Sequence, residues 1–212
     1  MRKIFLMTGF AIALISCTNT LFSQTFKQIK IGDQTWMAEN LNVDKFSNGD
    51  LIPEVKSKKE WENAGINEQP AWCYYENDSE NGTTYGKLYN WYAVSDSRGL
   101  APSGWHIPSN KEWTQLTDYL GGEDKAGTKM KSESGWMHKG KGTNKSGYLG
   151  LPGGWRNYGN FDGIGEYGYW WSSTENTSCC AWISFLQYSN GSVNGSGNYN
   201  KDKGLSVRAL RD

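Results

Sequence analysis

From residue 121 to residue 168 the chain carries fourteen glycines in 48 positions. Such a stretch cannot form long helices, because Gly loses more backbone freedom on ordering than any other residue. It suits tight turns and loops that larger side chains must pin. The available pins are aromatic. Trp, Tyr and Phe number 11, 12 and 7, while Leu, Ile and Val together number only 29 of 212 residues. A chain short of aliphatics stays disordered when its net charge is large, but here Lys+Arg and Asp+Glu are both 22. Each buried aromatic can remove roughly 150–250 Å² from water. One folded, aromatic-cored, loop-rich domain is therefore expected, which suits the length. The charge balance argues against a nucleic-acid partner, since no basic excess is available to neutralise phosphates.

Residues 1–23 read as an export leader, and residues 24–212 as a single domain. Arg2 and Lys3 precede an apolar run from Ile4 to Ile15 that is broken only by Thr8 and Gly9. This run fits a signal-peptide core and is too short to span a bilayer. Two cleavage readings stay open. Leu14-Ile15-Ser16-Cys17 has the form of a lipobox, in which Cys17 is lipidated and becomes the mature N-terminus. Leu21-Phe22-Ser23 before Gln24 has the form of an ordinary signal-peptidase site. Either one places the mature chain outside the cytoplasm, in the cell envelope or at the cell surface, lipid-anchored or secreted. Any membrane attachment would then be through lipid alone.

Outside the cytoplasm a disulfide is permitted. Cys73, Cys179 and Cys180 make an odd number. A bridge from Cys73 to one of the adjacent pair is the simplest pairing, and would contribute on the order of 4–5 kcal/mol for so long a loop. A buried Cys73 thiol is the other reading. No C-x-x-C occurs, and His106 and His138 stand 32 residues apart, so no metal-ligand spacing is present.

Local signals place the elements. Phe26 to Met37 reads as a hairpin around Gly32-Asp33. A short helix is predicted from Ser57 to Ala64, ending at Gly65, and a strand over Ala71 to Tyr75. Glu76 to Thr84 reads as a loop. Tyr85 to Val94 suits strand or helix. Ser109-Asn110-Lys111-Glu112 is a capping box. Behind it Trp113, Leu116, Thr117 and Leu120 make one apolar helix face, closed by Gly121-Gly122. A weaker helix is expected over Glu123 to Lys131. Gly168 to Thr174 and Ala181 to Tyr188 read as strands, the second leading into an Asn190-Gly191 hairpin turn. In the last strand Leu205, Val207 and Ala209 alternate with Ser206, Arg208 and Leu210.

Four of these segments occur in an order that resembles a known family. They are Tyr85-Gly86-Lys87-Leu88-Tyr89-Asn90-Trp91-Tyr92-Ala93; Gly104-Trp105-His106-Ile107-Pro108-Ser109 with Glu112-Trp113; Gly153-Gly154-Trp155-Arg156; and Gly168 to Thr174. Together they resemble the Fibrobacter succinogenes major paralogous domain family over roughly residues 26–212. Members are secreted or lipid-anchored bacterial proteins, and the resemblance brings no settled activity with it. The order of elements is also similar to the sulfatase-modifying-factor and C-type-lectin-like superfamily. That implies an α+β fold, with a small twisted mostly antiparallel sheet beside one or two helices. Long Gly- and aromatic-rich loops would carry any ligand site.

The chemistry on offer is sparse. His106 is the best candidate base, and a cleft placing it within hydrogen-bond reach of an exposed Ser, Cys or carboxylate would favour a hydrolase. Ser172-Ser173-Thr174 lies on a strand where hydroxyls bond backbone. The related sulfatase-modifying enzymes use an active-site cysteine pair, and the segment around Cys179-Cys180 does not reproduce that pattern. The calcium-site triplets of lectins are absent. Asp162 and Glu166 could still offer oxygens to a loop-bound calcium, although solvated carboxylates, and no cofactor, are the expectation. Aromatic platforms make the stronger binding hypothesis. Trp155, Tyr158, Phe161 and Tyr167 lie among glycines within residues 139–168, and Arg156 adds donors. The chain is thus expected to be a non-catalytic extracytoplasmic module for a glycan or surface-protein partner. The alternatives are an enzyme of the same fold and a structural component of a surface assembly.

Overall fold

The computed structural model describes residues 26–140 and 142–212. The leader and Cys17 lie outside the described residues. Strands β1 (Gln28–Ile31) and β2 (Gln34–Met37) form the first hairpin, as the turn predicts. Helix α1 (Lys58–Ile66) follows, with the Ser57 hydroxyl accepting from the Glu60 amide at 3.2 Å. After strand β3 (Trp72–Cys73) comes α2 (Ser79–Tyr85), where the sequence reads as a loop. Its polar composition hides a helix whose C-terminal end distant side chains help to cap. The Asn40 amide donates at 2.8 Å to the Tyr85 carbonyl, which the helix end leaves unpaired, and Asn42 adds a 3.4 Å bond to the Gly82 carbonyl, which already accepts from the Gly86 amide.

The ambiguous segment divides at Asn90 into strand β4 (Leu88–Tyr89) and helix α3 (Trp91–Val94). Asn90 is buried, and its side-chain oxygen accepts from the amides of Ala93 and Ala71. It is at once a helix cap and a tie between strands. Strand β5 (Trp105–His106) leads to α4 (Asn110–Tyr119), which carries the full capping box. Helix α5 (Glu123–Met130) is the second helix expected here. Five α-helices stand among the described residues, more than the one or two implied by resemblance.

The glycine-rich region is not all loop. Gly153–Asn157 and Asn160–Ile164 form a hairpin, β6 and β7. Tyr158 and Gly159 both take positive φ at its turn, +45° and +74°, which is the mirror-image turn that matches strand twist. Strands β8 (Tyr167–Glu175), β9 (Cys180–Gln187) and β10 (Val193–Asn200) complete a five-stranded sheet in the order β10-β9-β8-β6-β7. Its pairings are antiparallel except β6 with β8. The β9–β10 hairpin forms through a longer connection than Asn190-Gly191 alone, because α5 holds that turn. The Thr128 amide donates to the Gly191 carbonyl at 3.0 Å, and Lys131 to Asn190 at 2.6 Å. Strand β11 (Leu210–Arg211) joins a four-stranded sheet, β1-β2-β11-β5, and β3 pairs with β4 alone. The result is a mixed α+β fold of three mostly antiparallel sheets and short helices. Among the described residues no helix is long and apolar enough to cross a membrane.

Tryptophans occupy both faces of the five-stranded sheet. Trp170 and Trp171 are consecutive, so the pleat sends them to opposite sides. Trp170 joins Trp36, Trp113 and Tyr148 under α4. Trp171 joins Trp72, Tyr89, Trp91 and Leu205 on the other side. On that side the indoles are satisfied: Trp171 donates to the Tyr89 carbonyl at 2.8 Å and Trp91 to Ser172 at 2.9 Å, whereas the buried Trp113 N–H under α4 has no partner.

The final segment departs from its expected alternation. Leu205 through Leu210 are all buried, because the segment runs between layers rather than along a surface. Arg208, expected to face outward, is fully enclosed. Its guanidinium donates to the carbonyl of Tyr148 at 2.6 Å, to Met37 at 3.1 Å and to the Asn40 side chain, and lies over the Tyr148 ring. Burial pulls its pKa down, and no carboxylate is among its hydrogen-bond partners.

Candidate functional site

Strand alternation divides the seven residues singled out from the sequence. On the β6–β7 hairpin Trp155 pairs with Asp162, and Arg156 pairs with Phe161. Neighbouring pairs face opposite sides. Arg156 and Phe161 face inward, against α1. The Arg156 guanidinium donates to the carbonyls of Val55 at 2.6 Å and Lys56 at 2.8 Å, and stacks over Trp61 and Phe161. It is fully buried, so the expectation that Arg156 offers donors to a ligand is corrected. Phe161 is half-buried against Tyr75.

The other pair faces outward. Asp162 is exposed, and Trp155 is half-buried edge-on to Tyr167 and Tyr169, at 5.4 and 5.0 Å between ring centres. Gly163 makes room for the indole: a Cβ there would lie 2.2 Å from its Cζ3. Tyr167 stacks on Tyr169 at 5.5 Å, and Tyr169 on Phe185 at 5.2 Å. Tyr199 closes the row, 5.5 Å from Tyr169, with the Lys203 ammonium 4.6 Å over its ring. Burial pushes the Tyr169 and Tyr199 phenols above their ordinary range. Trp155, Tyr167, Phe185 and Tyr199 each leave part of a ring open to solvent. Tyr158 is 53% exposed at the hairpin tip, within 3.4 Å of the Asn200 amide.

Trp155, Asp162 and Tyr167 on this face are among the residues singled out from the sequence, and Tyr169, Phe185, Tyr199 and Lys203 are not. One signal was available. Tyr167, Tyr169 and Trp171 stand at alternate positions of a strand and so share a face. Phe185 and Tyr199 come from β9 and β10, and only strand register brings them there. Glu166 is half-buried, and its backbone carbonyl accepts from the Tyr188 amide. Among the described residues no three His, Cys, Asp or Glu side chains cluster as a metal would need, so Asp162 and Glu166 have no acidic third partner.

A second feature centres on His106. Its Nδ1 lies 2.7 Å from Asp212 and its Nε2 3.0 Å from Glu112. Glu112 in turn accepts from the Ser109 amide and hydroxyl, both at 2.7 Å. This chain edges a cleft of about 800 Å³ that Trp105, Ile107 and Ser173 also line. The condition favouring an acid–base reading is met by carboxylates. Both ring nitrogens are occupied, however, and among the described residues neither contacts a hydroxyl or thiol. Burial disfavours the charged ring, but the two carboxylates outweigh it and raise the pKa. Ser172 and Thr174 hydroxyls accept from backbone amides of Thr174 and Asn110. His138 packs beside Tyr188, remote from this chain of contacts.

Of the two readings of Cys73, the structure carries the buried thiol and no bridge to the adjacent pair. Cys73 is a buried thiol in the small core of Trp61, Tyr75 and Leu88. Burial pushes it up to about 12, more than the nearby Arg156 offsets. Cys179 and Cys180 sit at the β8–β9 turn, outside that core.

No curated protein and no solved structure matches the chain. The family model described as the Fibrobacter succinogenes major domain matches residues 29–211. That span takes in the Trp-bearing sheet, the capped helix and the aromatic row alike, and the chain belongs to the Fibrobacter succinogenes major domain family.

Proposed function

We propose that this protein is a non-catalytic binding module, exported from the cytoplasm and held to the envelope by lipid on Cys17, that takes a glycan through its outward aromatic row. A surface-protein partner at the same face is the alternative outcome. The observation that carries the reading is the half-open row Trp155, Tyr167, Phe185 and Tyr199, with the exposed carboxylate of Asp162 at one end and the Lys203 ammonium at the other. Flat apolar ring faces suit the C–H faces of sugars, and flanking polar groups can bond their hydroxyls. A C-type-lectin-like ancestry fits the mixed, mostly antiparallel architecture. Calcium is not part of the proposal, and neither is nucleic acid.

A glycan array probed with the mature chain tests it, with a pull-down from envelope extract as the second arm. Retained glycans should be lost with Asp162→Ala and Tyr167→Ala while the fold is kept. Binding unchanged in both variants overturns the site. Intact mass of the exported protein tests the anchor, since a chain beginning at Gln24 contradicts lipidation of Cys17.

The His106 cleft supports a second reading, in which a protonated imidazole serves as a general acid on a ligand in the cleft. Hydrolysis of esters or glycosides by the purified protein, abolished by His106→Gln, would favour it over the binding module.

A further inference from the structure

The adjacent cysteines stand apart from the aromatic row in chemistry. Their Sγ atoms lie 2.7 Å apart, within about 1 Å of the bonded separation. Cys179 is exposed, and Cys180 lies just beneath it with its thiol aimed at the Asn200 side-chain oxygen, 3.5 Å away. Thr177 lies 3.3 Å from the Cys179 sulfur. Cys73 is sealed in a different core cluster and is held as the neutral thiol. Thiol exchange needs an accessible thiolate, so Cys73 is excluded as a partner by burial as well as by position.

We propose that Cys179 and Cys180 form a redox site that closes reversibly to a disulfide between neighbouring residues, leaving Cys73 a free thiol. The co-reactant is a disulfide, either of a small thiol or of a disulfide-donating oxidoreductase. The Cys179 thiolate attacks one sulfur of that disulfide and expels the first thiol, giving a mixed disulfide on Cys179. The Cys180 thiolate then attacks Cys179 Sγ and expels the second. Two protein thiols are oxidised, one external disulfide is reduced to two thiols, and two protons move from the protein to the leaving thiolates. The electrostatics assist the order of attack. Hydrogen bonds from Cys180 and Thr177, together with the Lys201 ammonium, lower the pKa of Cys179, whereas the Cys179 contact raises that of Cys180. The first nucleophile is therefore the exposed one.

Closure removes a donor. In the reduced pair the single Cys180 S–H can serve either the Cys179 sulfur or the Asn200 side-chain oxygen, and the Asn200 amide lies 3.4 Å from the Tyr158 hydroxyl at the hairpin tip. The oxidised ring has no S–H to give, so the turn and the tip report on the same chemistry.

Equilibration of the full chain in glutathione buffers, followed by alkylation and tryptic mass mapping, tests the site. The fragment 157–201 contains both adjacent cysteines and excludes Cys73. On oxidation it should lose the mass of two hydrogens, and its alkylation should fall at least about tenfold. Dithiothreitol should restore both. Cys73→Ser should leave the behaviour unchanged, and Cys180→Ser should stop it at a glutathione adduct on Cys179. A fragment cross-linked to Cys73, or full alkylation of both adjacent thiols in oxidised buffer, overturns the proposal. Neither result bears on glycan binding by the aromatic row, which the Asp162 variant reads separately.

Discussion

The His106 imidazole and the Asp212 carboxylate meet at 2.7 Å, with Glu112 holding the other ring nitrogen at 3.0 Å. Three elements are joined there: β5, the first turn of α4 and the residue after β11. In the unfolded chain His titrates near 6.5. In the folded chain its pKa is raised: burial works against the charge, and the bonds to Asp212 and Glu112 more than offset it. The stabilisation is full below about pH 6.5 and is lost as pH rises through the raised folded value. Glu112 sets the acid edge. Burial opposes its charge, but Ser109 and His106 outweigh that and lower its pKa, so its contribution is lost as pH falls through the lowered value. The melting temperature should therefore fall by a few degrees from mildly acidic to mildly alkaline buffer. His106→Gln should flatten that slope, and a slope unchanged in this variant, followed by circular dichroism, would count against the latch.

Arg156→Met keeps the volume and the packing on Trp61 while removing the donors to Val55 and Lys56. The carbonyls of half-buried Val55 and exposed Lys56 then lose a charged donor, at about 1–3 kcal/mol each before relaxation. Urea denaturation should show a loss of about 2–4 kcal/mol. A stability loss within error would mean that the guanidinium is free to serve a ligand.

Gly163→Ala places a methyl group against the Trp155 indole at a φ of +73°, where side chains are strained. About 1–3 kcal/mol of stability should go. The displaced indole should weaken any glycan captured on the row more than Gly49→Ala does, since Gly49 has open space around it. Equal effects from the two variants on an array would sink the role given to Trp155.

Ser109→Ala removes the hydroxyl that receives the Glu112 amide and bonds its carboxylate. About 1 kcal/mol should be lost, and Ser109→Thr should recover most of it. Denaturant midpoints for the two variants decide this, and no recovery by Thr would place the effect elsewhere.

The capped helix, the first hairpin and the helix after Ser57 were fixed by short-range order. Each depends on spacings of two, three or four residues, and these are visible in a linear chain. Helix α2 was not legible, because Asp78 and Gly86 cap it locally but its own residues bury only Gly82 and so carry no apolar period. Arg156 read as a ligand donor and Arg208 as one face of an alternating strand, because a guanidinium in a glycine-rich or alternating segment carries no local mark of the carbonyls that will surround it. The aromatic row was half legible. Its β8 members share a strand and a period, but Phe185, Tyr199 and Lys203 arrive by pairing register and by the turn after β10. Residue type and spacing thus determined that rings would build the core and that a helix would start at Ser109. Which rings stay open to water, and which charges are sealed in, depended on contacts between segments far apart in the chain. No local pattern encodes those contacts, because the free energy that selects them exists only once the sheets have closed on one another.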